Sequence, residues 1–368
     1  MDSITLRRAL HKHPELSFCE HQTATTIEQA LDSEGIPHRR VATTGIIATI
    51  EGRGDLSRAV VLRADIDALP IKELTELDYA SINDGVMHAC GHDMHTGMLF
   101  GALKKLNKER DFEGTIIGVF QPGEECNPGG ASLVLNEEPF ASYKVQAVIG
   151  QHVDATIEVG EVGLRAGQFM AASDELRFTI NGRGGHAARR AELKDPVVAM
   201  AEFITSLTEF NSETVVLSIG KVEALGATNV IPHSVKLEGT LRTFDEQERQ
   251  QIKEQIQRVA DIVSARHGLT IECDINHGYP SVVNDNHLAI ISGEVMASRC
   301  KVIPFDRLTT AEDFGFYTQC YPSLFYRLGV GTEAGKSHTA TFNPNEEAMP
   351  LGVELLKSLA LRILKDEK

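Results

Sequence analysis

Between residues 175 and 275 the hydrophobic pattern runs strand, helix, strand, strand, helix, strand, and this order constrains the fold more than any other feature. Residues 175–181 alternate polar and apolar side chains as a half-buried strand does. Asp195 then stands at the head of a helix reaching about residue 210, with Val197, Ala201, Ile204 and Leu207 expected to face inward. Strand patterns follow at 214–222 and 234–243. Ile252, Ile256, Val259 and Val263 mark a second helix, and 269–275 closes the set. The order βαββαβ is that of a split βαβ, ferredoxin-like unit, which can stand as its own small α+β domain.

On either side the pattern is different. A helix is predicted at 20–35, with Ala24, Ile27, Ala30 and Leu31 on one face. Short apolar runs at 45–50, 59–63, 115–120 and 145–149 read as buried strands, and Met94, Met98, Ala102 and Leu106 recur as on a helix. A last helix is predicted at about 351–364. Strands alternating with helices imply a mixed, largely parallel sheet covered by helices. At 368 residues two domains are the better prior. The expected architecture is therefore an α/β main domain made of 1–171 and 278–368, interrupted by an inserted domain at 172–277.

Charge and composition exclude several classes of partner. A formal charge of −16, with no run of Lys and Arg, argues against a phosphate-binding surface, so no nucleic acid is expected. No segment approaches the roughly 20 apolar residues of a membrane helix. Arg7, Arg8, His11, Lys12 and Glu15 leave no apolar stretch for a signal peptide. The six cysteines are scattered without the spacing of a disulfide scaffold, which fits free thiols in a reducing cytoplasm.

Chemistry concentrates in a few segments. The densest is His88-Ala89-Cys90-Gly91-His92-Asp93-Met94-His95, at the start of a helix. Thiolate and imidazole are the ligands that borderline-soft metals prefer, and the glycine lets Cys90 and His92 converge on one ion. The plainer alternative is a buried thiol beside surface histidines. Gln121-Pro122-Gly123-Glu124-Glu125 follows an apolar strand, which would deliver two acids to the crevice where open α/β sheets bind ligands. Adjacent side chains diverge, so one acid can ligate a metal while the other holds a water. His152, just beyond the run 145–149, and His338 are further ligand candidates. In 63–70 two acids end another strand, and Asp65 is the candidate to orient a ligand imidazole through its second nitrogen. Those acids could equally cap the turn before Pro70, as Glu312 and Asp313 could cap a helix.

Together these segments resemble the aminoacylase and carboxypeptidase family of co-catalytic metallopeptidases. The similarity is to the branch of hippurate hydrolases, auxin-conjugate amidohydrolases and N-acetyldiaminopimelate deacetylases. It also takes in His13-Pro14-Glu15-Leu16-Ser17, Gly184-Gly185-His186-Ala187, Asn229-Val230-Ile231-Pro232 and Gly239-Thr240-Leu241-Arg242-Thr243. The resemblance implies two divalent metal ions bridged by Cys90, with His92 and His152 completing one site and Glu125 and His338 the other. Zinc is the favoured metal, with manganese, cobalt or nickel as alternatives. The resemblance further implies that Glu124 is the general base and that His186 stabilises the oxyanion. Asn229 and Arg242 are implied to contact the substrate. The inserted domain becomes a lid that can also serve dimerisation.

The expected reaction is hydrolysis of the amide bond of small N-acyl amino acids. A dipeptidase or carboxypeptidase on the same site, or a non-catalytic binding homologue, are the alternatives. This chain departs from the family pattern at Arg189-Arg190-Ala191, at Asp154-Ala155-Thr156 and around Thr339 to Asn345. None of these departures removes a ligand candidate.

Overall fold

The structure is a computed structural model that describes residues 1–366. The chain divides into two compact units. One comprises 1–167, 283–306 and 313–368; the other comprises 168–282 and 307–312. The short piece 307–312 joins the second unit because Leu308 exchanges backbone hydrogen bonds with Phe169 and Ala171.

The first unit is built on an eight-stranded sheet among the described residues. Its order is His38–Val41, Gly45–Glu51, Thr115–Gln121, Arg58–Asp65, Lys144–Asp154, Ser323–Gly329, Glu161–Leu164 and Lys301–Pro304. The four central strands, Thr115–Gln121 to Ser323–Gly329, run parallel. Antiparallel pairs flank them at Gly45–Glu51 and Glu161–Leu164. Buried strands should be apolar throughout, and Thr115–Gln121 and Ser323–Gly329 are buried at every residue. Helices His92–Glu109 and Met349–Lys365 pack on one another and on Arg58–Asp65. The first is buried from His92 through Leu103, and its last turns reach the surface.

One strand is longer than expected. Lys144–Asp154 runs on past residue 149, so His152 is part of the strand rather than of a loop beyond it. Its parallel pairing with Ser323–Gly329 continues through His152 opposite Arg327, which carries the extended conformation to the sheet's carboxyl edge.

The second unit holds a four-stranded antiparallel sheet in the order Val215–Glu223, Ser234–Thr243, Ala172–Asn181, Thr270–His277. Helices Pro196–Thr208 and Glu246–His267 pack against it and against each other. This is the ferredoxin-like arrangement. Asp195 caps the first helix through the N–H groups of Val197 and Val198. The buried face of that helix is Ala199, Phe203 and Leu207, whereas Ala201 is exposed and Val197 and Ile204 are half-buried. The expected face is therefore rotated. Phe203 sets it by meeting Phe178 edge-to-face at 5.0 Å, and an aromatic pair outweighs an alanine.

All six cysteines are free. No helix among the described residues is long and apolar enough to cross a membrane.

A buried ion network ties the first helix, Ser3–Lys12, to the helix His92–Glu109. Arg7 Nε and His11 Nδ1 both donate to Asp93 Oδ2, at 2.8 and 2.9 Å, and His11 Nε2 reaches Glu73 Oε1 at 3.1 Å. Burial alone would lower the pKa of His11, but the Asp93 carboxylate and the two hydrogen bonds outweigh it and raise it to about 9. A folded-state pKa above the unfolded value contributes stability that is full below about pH 6.5 and lost as pH rises through about 9. The shift corresponds to on the order of 3 kcal/mol as an upper bound. The urea midpoint is expected to fall across that window in the native protein and much less in His11→Gln. A midpoint independent of pH there would refute the charged state of His11.

Candidate metal centre

Cys90 and His92 flank Gly91, which sits at φ +89° as the first helical turn begins, a backbone position that favours glycine. A Cβ on Gly91 would lie 2.5 Å from Val153 Cγ2, so the turn rests directly on the strand that carries His152. Cys90 Sγ lies 3.4 Å from His152 Nε2. The donor atoms of Cys90, His92 and His152 all fall within 4.8 Å of one another.

A second group of the same size shares the thiol. His338 is held at φ +62°, a left-handed conformation uncommon for a residue with a Cβ, and its N–H donates to Ala89 O at 2.7 Å. That strained turn brings His338 Nε2 to 3.3 Å from Cys90 Sγ and 3.2 Å from Glu125 Oε1. The donor atoms of Cys90, Glu125 and His338 again lie within 4.8 Å of one another. Glu124 is buried beside them, its Oε2 4.0 Å from His92 Nε2.

The hydrogen bonds of the histidines show which nitrogens are available. His92 Nδ1 donates to the Asp67 backbone and carboxylate oxygens at 2.9 and 3.1 Å, so its lone pair is on Nε2. That Nε2 is fully buried and has no hydrogen-bond partner, an arrangement that costs stability unless something accepts the lone pair. His152 Nδ1 donates to Val153 O at 2.7 Å, leaving its Nε2 lone pair toward Cys90. His95 differs. Its Nε2 accepts from Val153 N and its Nδ1 donates to Asp65, so both nitrogens are spent. Asp65, His92 and His95 also cluster, but His95 has nothing left for a cation.

Asp65 does not take the role expected of it. Its carboxylate accepts from His95 at 2.6 Å and from Arg63 at 2.6 Å. The acid that reaches the second nitrogen of His92 is Asp67, two residues on, where the chain has left the strand and turned under the helix start. The other oxygen of Asp67 accepts from Glu125 N at 3.0 Å and from Ser17 Oγ at 2.7 Å. One carboxylate thus braces a residue of each group.

Burial, and then the charge of Glu125, push the Cys90 thiol up to about 12. Without a cation beside it, this thiol stays protonated at neutral pH. Three imidazoles, a carboxylate and a thiol whose donor atoms converge make a donor set that suits borderline-soft divalent metals.

His186, Asn229 and Arg242 belong to the second unit. His186 ends the strand Gly185–His186, which pairs with Val230–Ile231, and Ala187 N donates to Asn229 O at 2.9 Å. On this ribbon His186 lies opposite Val230, and Asn229 is one position along, across from Ala187. His186 Nδ1 accepts from Ala188 N, which places its proton on the exposed Nε2. Arg242 lies on a different strand, opposite Ser173 and Val216. It is half-buried, burial lowers its pKa, and its side chain has no hydrogen bond or ion pair among the described residues.

A buried thiol, three convergent imidazoles and a pair of acids beside a parallel sheet are the equipment of a metal-dependent hydrolase. Residues 61–362 match the peptidase family M20/M25/M40, and the chain belongs to that family. It is a metallo-amidohydrolase. Among its relatives, N-acetylcysteine deacetylase of Bacillus subtilis is 36% identical over 99% of this chain and 97% of its own length. N-acetyldiaminopimelate deacetylase of Oceanobacillus iheyensis is 35% identical over 96% of this chain and 97% of its own. A crystal structure of a Bacillus subtilis protein described as a dinuclear metal-binding M20 peptidase superposes with a TM-score of 0.89. It is 36% identical, with 99% of this chain and 98% of that one covered.

Proposed function

We propose that this enzyme hydrolyses the amide bond of N-acyl amino acids of the N-acetyl or N-benzoyl type. Cys90, His92 and His152 would hold one divalent ion, and Cys90, Glu125 and His338 a second, with zinc the best fit to the thiolate. Manganese, cobalt and nickel are the alternatives. The observation that carries this reading is the pair of three-donor groups sharing a single thiol. When bound, two such cations lower the pKa of a water and polarise the substrate carbonyl.

The chain's own residues then do the following. Glu124, outside the two groups that share the thiol, accepts a proton from the attacking water and returns it to the leaving amine. His186 donates a hydrogen bond from its Nε2–H to the oxyanion that forms on the former carbonyl oxygen. Asn229, just before the facing strand of the same ribbon, offers an amide N–H to the substrate carbonyl. Arg242, half-buried and unpaired, receives the carboxylate of the amino acid, and its planar guanidinium can do so with two hydrogen bonds. The second unit acts as lid and as the surface through which a homodimer would form.

The reading is tested by reconstituting the protein with each metal and assaying N-acetyl amino acids, N-benzoyl amino acids and dipeptides. Preference for dipeptides over all acyl amino acids would overturn the substrate class. Arg242 has its own test. Native enzyme should lose about tenfold to a hundredfold in kcat/KM on substrates amidated at the carboxylate. Arg242→Ala should be equally poor on acid and amide. Equal turnover of both forms by the native enzyme would remove Arg242 from substrate binding.

A further inference from the structure

Glu20 is fully buried, and although it is the N-cap residue of the helix His21–Ser33 its side chain makes no cap hydrogen bond there. Its carboxylate is turned elsewhere. Oε1 accepts from the backbone N–H of Gly123 at 2.8 Å, and Oε2 accepts from Thr44 Oγ at 2.6 Å. Gly123 is the residue before Glu124. Its carbonyl is also tied down, accepting from Gly130 N at 3.0 Å, and its φ is +59°. Phe18, two residues before Glu20, lays its ring on the same glycine. A Cβ on Gly123 would stand 2.3 Å from Phe18 Cε1. One short segment thus grips the turn from which Glu124 projects, by one hydrogen bond and one ring face.

We infer that Glu20 is a positioning residue for Glu124, acting through the Gly123 N–H. This rests on the role of general base proposed for Glu124. The direction of a side chain leaving a left-handed turn is set by the two peptides that flank the turn residue, and here the one before Gly123 has its N–H held by Glu20 while the one after it has its carbonyl held by Gly130. Without the acceptor, the Gly123 N–H loses its partner in a buried place, and the turn must shift to regain one. Displacement of a reacting group by about 1 Å can cost on the order of a hundredfold in rate. Asp67 fixes the N–H of Glu125 independently, so the metal ligand stays in place while the base moves.

The test uses Glu20→Met, which keeps length and volume but has no oxygen, beside Glu20→Gln, whose amide oxygen can accept from Gly123 while its NH2 faces Thr44. In the metal-reconstituted enzyme, Glu20→Met should lose about tenfold to a hundredfold in kcat. Its KM should move by less than about threefold, and its metal content should equal that of the native enzyme. Glu20→Gln should recover kcat to within about threefold. Hydrogen exchange of the Gly123 amide should speed up in Glu20→Met and not in Glu20→Gln.

The inference is overturned if Glu20→Met turns over at the native rate, if its loss follows loss of metal, or if Gln rescues nothing. Should Glu20→Met fail to fold, Thr44→Val releases Oε2 and loosens the same carboxylate. It should lower kcat with full metal content, and an unchanged kcat would overturn the inference. Glu124→Gln separates the two failures. If that variant stays active with full metal, the reading of Glu124 fails. If it is inactive while Glu20→Met is normal, only the role of Glu20 fails.

Discussion

Glu124→Gln is expected to keep its metal at the native level while kcat falls by about 10²–10⁴-fold, the usual contribution of general acid–base catalysis. The amide fills the same space but cannot take a proton from water. KM should move far less, because the interaction removed matters mainly in the transition state. Glu125→Gln should behave differently. Glu125 Oε1 faces His338 Nε2 at 3.2 Å within the second donor group, so its loss removes a negative ligand and weakens metal retention. Metal analysis beside steady-state kinetics on both variants decides the matter. If Glu124→Gln loses metal and Glu125→Gln keeps it, the roles are reversed. If neither affects turnover, the catalytic site lies elsewhere.

Cys90→Ala should be the most damaging single change to metal content, because Cys90 is the one residue common to both donor groups. Removing Glu125 or His338 leaves the first group whole, and removing His152 leaves the second. Removing the thiol leaves each with two donors. Turnover should become undetectable, with metal content well below native for both ions. Cys273 provides the control. It is half-buried beside the apolar core of the ferredoxin-like unit, where burial pushes its thiol up to about 11, and Cys273→Ala should leave metal and turnover nearly native. Full metal in Cys90→Ala would sink the assignment of the centre.

Much of this was legible in residue order. The alternation at 175–181 and the four-three-four spacing of Ile252 to Val263 are local signals, and they gave the ferredoxin-like unit directly. Cys90, His92 and Glu125 stood out because thiol, imidazole and carboxylate are chemically conspicuous when crowded into 88–95 and 121–125, whereas His152 and His338 are isolated histidines whose role only the family resemblance marked. What escaped was geometry set by distant contacts. Asp65 and Asp67 look equivalent on paper, and only the bend after the strand decides which meets His92. Asp313 read as a helix cap, yet it accepts from Arg63, Gln121 and Ala131 N. Glu20 read as the first residue of a helix, and nothing local reveals that its carboxylate serves a glycine 103 positions later. Ala201 read as inward because periodicity gives spacing without the phase that Phe203 supplies.

The two donor groups also differ in how much of the polypeptide must exist before they can form. Cys90 and His152 are 62 residues apart, whereas Cys90 and His338 are separated by 248. A chain still emerging from the ribosome has made every member of the first group by residue 152, while the second must wait for His338. The two groups therefore differ in contact order, and His338 is the donor that the longest loop must bring back to Cys90.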